Sequence, residues 1–74
     1  MKNNGKKLTR MGKYIVKAMT DQDITKTQLA AMIGTTPQYL SYILHGDRSG
    51  EKYISAIIAA LNLDPQKVLK LTAA

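Results

Sequence analysis

Seventy-four residues with a formal net charge of +6 and a pI near 9.8 make one small domain. One core of that size leaves no second compartment for a catalytic cleft or a small-molecule effector. There is no cysteine, which excludes a disulfide frame and a thiolate metal site and leaves packing, with or without dimerisation, to supply stability.

The charge is unevenly placed. Lys2, Lys6, Lys7, Arg10, Lys13 and Lys17 precede residue 18 with no acid among them. Beyond them, Lys26, Arg48, Lys52, Lys67 and Lys70 balance Asp21, Asp23, Asp47, Glu51 and Asp64. A basic leader of this kind attracts a polyanion through counterion release; the plain alternative is a solvated leader that aids solubility. No apolar run reaches the length of a membrane span, and no signal-peptide core follows the basic start. The expectation is a soluble, cytoplasmic chain without membrane contact.

Residues 1–7, MKNNGKK, have no hydrophobic period and read as a flexible basic arm, with residues 8–74 as the folded domain. From Leu8 or Thr9 a first helix runs to about Thr20, with Leu8, Met11, Ile15, Ala18 and Met19 as its apolar stripe and Gly12 as a weak point. Asp21-Gln22-Asp23 is a connection of turn-forming residues. Two acids with no histidine or third carboxylate do not make a metal or acid–base site.

The second helix begins at Lys26. Thr25 and Gln28 have capping-box spacing, Ile24 and Leu29 can staple the entry, and Gly34 suits a left-handed stop. Thr36 then caps a third helix that has Pro37 in its first position. Leu40, Ile43 and Leu44 share one face of this helix, and Gln38, Ser41, Tyr42 and His45 share the other. After the loop DRSG, with Ser49 or Gly50 as cap, a fourth helix buries Ile54, Ile57, Ile58 and Leu61 and stops at Asn62. Asp64-Pro65 starts a fifth helix that holds Val68, Leu69 and Leu71 and frays into Thr72-Ala73-Ala74, with Leu63 and Val68 as a second staple. Five short helices and no strand follow: an all-α fold.

A short helix, a glycine turn and a second helix with a polar outer face fit the helix-turn-helix motif. The stretch resembles that of phage Cro and repressor proteins and of the wider Xre-like bacterial regulators. Ile24, Thr25, Leu29, Ala30, Ile33, Gly34, Thr35, Thr36, Leu40, Ile43 and Gly46 carry the resemblance, which extends over roughly residues 12–71 and into LNLDPQKVL. It implies a five-helix, lambda-repressor-like DNA-binding domain. The implied function is sequence-specific binding of double-stranded DNA by a homodimer on a palindromic operator, with recognition helices about 34 Å apart. Repression fits better than activation, because so small a chain has little surface for recruiting polymerase. The fourth or fifth helix is the expected dimer surface.

In that motif the second helix enters the major groove and the first crosses the phosphate backbone. Gln38 is the leading base reader, since its amide pairs bidentately with adenine. Pro37 stands where relatives often carry a base-contacting glutamine or arginine, and is limited to touching a thymine methyl. Tyr42 reaches a base edge or a phosphate, or else packs at the core margin. Ser41 is on the same face; it is short, and it either contacts a base or contacts nothing. Phosphate contacts are expected from Lys26 and Thr27 at a helix start, from Thr35 and Thr36, and from Tyr39 unless it packs. Arg48, Ser49 and Lys52 match the region that grips neighbouring phosphates in the family; the alternative for Arg48 and Lys52 is a solvated surface paired with Asp47 or Glu51. Lys2, Lys6 and Lys7 would add non-specific affinity.

The remaining chemistry is sparse. Ser41, His45 and Asp47 lack a pocket and an oxyanion donor set, so they are not a triad, and His45 reads as capping or solvent-facing. The four methionines read as core filler rather than a ligand box. No enzyme activity, cofactor or metal is expected. Two rivals to DNA reading are a protein-interaction module, such as an antitoxin or phage inhibitor, and a nucleoid or membrane-surface binder that works by charge alone. Tyrosines on the third helix favour the former. The first helix lacks the large apolar face that the membrane version requires.

Overall fold

The computed structural model describes residues 7–48 and 50–73. These contain five helices and no strand: α1 (Arg10–Asp21), α2 (Lys26–Ile33), α3 (Pro37–His45), α4 (Glu51–Leu61) and α5 (Pro65–Ala73). Lys2, Lys6 and Ser49 lie outside the described residues, and Lys7 is exposed and non-helical.

Local chemistry sets most of the boundaries. The Thr25 hydroxyl accepts from the Gln28 N–H at 3.1 Å, while the Gln28 side-chain oxygen accepts from the Thr25 N–H at 2.8 Å. This is the full capping box, which occupies two donors that a helix start would otherwise leave open. Gly34 closes α2 at φ +82°, and the Thr35 N–H donates back to the Ala30 carbonyl at 2.9 Å. Thr36 caps α3 by accepting from the Tyr39 N–H at 3.1 Å, and Asn62 ends α4 in the left-handed region. Asp64 accepts from the Gln66 N–H at 3.0 Å, fixing the start of α5. Gly50 precedes α4 without any side-chain cap. The α5 backbone stays helical through Ala73 rather than unwinding at Thr72.

The core draws on all five helices: Met11, Ile15 and Met19 from α1, Leu29, Ala30 and Ile33 from α2, Leu40, Ile43 and Leu44 from α3, Ile57 and Leu61 from α4, and Val68 from α5 beside Leu63. Ile54 and Ile58 are only half-buried, and they flank the Ile57–Leu61 seam instead of belonging to it. Leu69 is not core: it is 67% exposed, because Val68 already occupies the inward direction of that turn. Met32 is also exposed, on the outer side of α2.

Gly12 has a different meaning from the helix-weakening one expected of it. It is buried, and a Cβ built on it would lie 2.1 Å from the Leu44 carbonyl oxygen. The residue is small because α1 and α3 touch backbone to backbone at this point. Thr9 secures the same contact. It caps α1 by accepting from the Gly12 N–H, and its own N–H and hydroxyl both donate to the Leu44 carbonyl, at 3.1 and 3.2 Å. The C-terminal end of α3 is therefore held by the start of α1. At the far side, the Gln22 side-chain amide donates to the Leu61 carbonyl at 2.8 Å, and the Tyr14 hydroxyl accepts from the Asp64 N–H at 3.2 Å. Asp23 takes a φ of +56° and acts as a turn residue.

Candidate nucleic-acid interface

The interface is assembled on α3. Its back is fully buried through Leu40, Ile43 and Leu44, which sets the rotation of the helix and fixes which residues face outward. Pro37 and Gln38 are exposed, Ser41 and His45 are half-buried, and Tyr42 is 37% exposed. Neither Gln38 nor Tyr42 is packed inside the fold. They meet each other: Gln38 Nε2 donates to the Tyr42 hydroxyl at 3.1 Å, one helical turn away.

Two helix starts lie in sequence before this face. In α2 the capping box occupies the N–H groups of Thr25 and Gln28. Those of Lys26 and Thr27 have no intrahelical partner, and both residues are exposed, so an anion can be met by backbone donors, a hydroxyl and an ammonium together. In α3 Pro37 has no N–H, and Thr36 takes that of Tyr39, so Gln38 alone of the first three residues keeps an outward N–H. The Thr36 side chain is exposed, and its O–H can still donate; Thr35 is half-buried.

The other end of α3 folds back on itself. The Tyr42 carbonyl accepts from the N–H groups of Asp47 and Arg48, at 2.9 and 3.3 Å. Tyr42, Asp47 and Arg48 line a shallow recess at this turn. Arg48 is exposed at this recess, and its guanidinium is a bidentate donor of the kind that meets a phosphate.

Tyr39 stands apart from Gln38 and Tyr42. It is half-buried and meets Tyr53 edge-on, with ring centroids 5.6 Å apart and an interplanar angle of 67°. Lys52 Nζ lies 5.8 Å from the centre of the Tyr53 ring. Lys52 and Tyr39 thus belong to one chain of contacts that joins the start of α4 to the flank of α3. Sequence reasoning passed over Tyr53. Its only signal is its place one turn before Ile57, at the edge of the buried stripe. The structure therefore brings Gln38, Tyr42 and Arg48 to one region and Tyr39, Tyr53 and Lys52 to another.

Among the described residues no helix is long and apolar enough to cross a membrane. No curated protein and no solved structure shows significant similarity to the chain. A family model described as helix-turn-helix matches residues 15–68, well over half of the length and all of α2, α3 and α4. With a capped α2, a glycine turn and an α3 that is buried behind and polar in front, the chain belongs to the Cro/C1-type, Xre-like helix-turn-helix family of DNA-binding regulators.

Proposed function

We propose that this protein is a sequence-specific repressor that occupies a palindromic operator in double-stranded DNA as a homodimer. One observation carries the reading: the outer face of α3 presents Gln38 and Tyr42, exposed and hydrogen-bonded to each other, while its opposite face is sealed in the core. A helix anchored in this way fits the major groove, where base edges display distinct donor and acceptor patterns. Gln38 and Tyr42 read bases, with Pro37 and Ser41 in close contact beside them. Lys26, Thr27, Thr35, Thr36, Tyr39, Arg48, Ser49 and Lys52 hold the flanking phosphates. Tyr39 does so from a half-buried position against Tyr53, which limits its reach, whereas Lys52 is exposed beside the same ring. The protein acts in the cytoplasm, blocks polymerase by occupancy, and needs no effector or metal.

Replacing Gln38 by alanine is expected to cost about 1–3 kcal/mol on the operator and to relax preference at one base pair. Binding to random duplexes should hardly change. Titration of both duplexes tests this, and an equal loss on each contradicts the reading role.

Residues 1–7, with Lys2, Lys6 and Lys7, form a basic arm outside the domain of residues 8–74. Removing them should flatten the plot of log affinity against log salt, by up to about 0.9 for each phosphate that the arm neutralises. Base preference should stay as it was. An unchanged slope refutes the arm.

A further inference from the structure

We infer that Tyr53, which no motif position marks, holds the sugar-phosphate backbone of the duplex: its hydroxyl, the Tyr39 hydroxyl and the Lys52 ammonium grip one stretch of phosphates beside α3. The inference rests on the proposed docking of α3 in the major groove. It goes beyond that docking, because it assigns a residue and a kind of contact on the α4 side of the helix.

Position comes first. At 3.6 residues per turn, Tyr39 lies about 100° round α3 from Gln38 and about 60° from Tyr42. It therefore stands between their outer face and the buried back at Leu40 and Ile43. An α-helix with its side chains is about 10–12 Å across, and the major groove is about 12 Å wide. A helix seated there turns its front to the base edges and its flanks to the sugar-phosphate walls. Tyr53 meets Tyr39 on that flank, with ring centroids 5.6 Å apart, and Lys52 Nζ lies 5.8 Å from the centre of the Tyr53 ring. The first turn of α4 thus reaches the same wall.

The chemistry of the three groups fits that wall. Of the four tyrosines, two have hydroxyl partners within the chain: Tyr14 bonds to the Asp64 N–H and Tyr42 to Gln38. The hydroxyls of Tyr39 and Tyr53 bond to nothing among the described residues, and neither oxygen is sealed from water. Each phenol keeps an O–H to give, and a phosphate oxygen accepts it. Lys52 is exposed and pairs with no carboxylate among the described residues; Glu51 lines a separate recess with Thr9 and Ser55. An ammonium and rotatable phenols impose no order of donor and acceptor, so they suit a uniform row of phosphates better than a base edge. The edge-on contact half-buries both rings before DNA arrives, so binding costs less side-chain freedom.

The test titrates the wild type, Tyr53→Phe and Lys52→Met, each as the full chain, with a selected site and a random duplex across a salt series. Tyr53→Phe should weaken binding to both duplexes by the same factor, about tenfold, the low end for a hydrogen bond to a charged group. Its plot of log affinity against log salt should keep the wild-type slope, because a phenol releases no counterion. Its thermal midpoint should not move, because the ring stays against Tyr39. Lys52→Met should flatten the slope by about 0.9, the share of one phosphate. Base preference should survive in both variants. If Tyr53→Phe binds both duplexes like the wild type, or loses affinity for the selected site alone, the phosphate role of Tyr53 is overturned and reading by α3 stands. An unchanged slope in Lys52→Met overturns the shared grip. A wild type that enriches no sequence, with the Tyr53→Phe loss intact, refutes reading by α3 and keeps the grip. A wild type that binds no duplex overturns both.

Discussion

Gly12→Ala is expected to destabilise the protein by about 3 kcal/mol, the upper end for overpacking a tight contact. Helix propensity alone gives the opposite sign, since alanine in a helix interior gains about 1 kcal/mol over glycine. Geometry decides between them. The added methyl would sit 2.1 Å from a backbone oxygen, and that oxygen already accepts the N–H and O–H of Thr9. Backbone cannot rotate aside as a side chain can, so α1 and α3 must separate. A chain of this length is held by about 4–11 kcal/mol in total. The midpoint should fall by roughly 12–24 °C in a thermal melt. A rise would show that α1 and α3 do not touch at Gly12.

Leu40→Ala is expected to cost about 2–5 kcal/mol. Leu40 has no exposed surface and is the residue through which the middle of α3 is anchored. Its removal takes away buried methyl groups and leaves a cavity that the short helix can only partly close. Because the same side chain sets the rotation of α3, the variant that remains folded at low temperature should also bind duplex less selectively. Chemical denaturation checks the first effect through a lower midpoint with an unchanged slope. A loss under 1 kcal/mol would mean that α3 is held mainly by other contacts.

What the sequence makes legible here is chemistry between near neighbours. Thr25 with Gln28, Gly34, Thr36 with Pro37, Asn62, and Asp64 with Pro65 each mark a helix end within three or four residues, and each takes the expected position. The outward face of α3 follows in the same way from the spacing of Leu40, Ile43 and Leu44. Contacts between distant residues are another matter. Gly12 looks like a helix fault until Leu44, far along the chain, is seen against it. Thr9 looks like one of two possible starts, and only its bonds to Leu44 show that it secures the end of α3. Tyr39 lies on the margin of its helix, and nothing local says that Tyr53 will meet it. Leu69 satisfies an apolar pattern but points outward, because its neighbour Val68 takes the inward direction of that turn. For the interface, Gln38 and Tyr42 are legible as a face, whereas the hydrogen bond that joins them depends on side-chain torsions that spacing leaves free.

Selection of bound sequences from a random duplex pool by the intact protein decides whether the outer face of α3 reads duplex DNA. The expected result is a two-fold symmetric sequence whose half-sites lie about 10 base pairs apart, centre to centre, or a multiple of that distance. Retention of duplexes without any enriched sequence, abolished in moderate salt, would contradict it and leave charge alone as the source of binding.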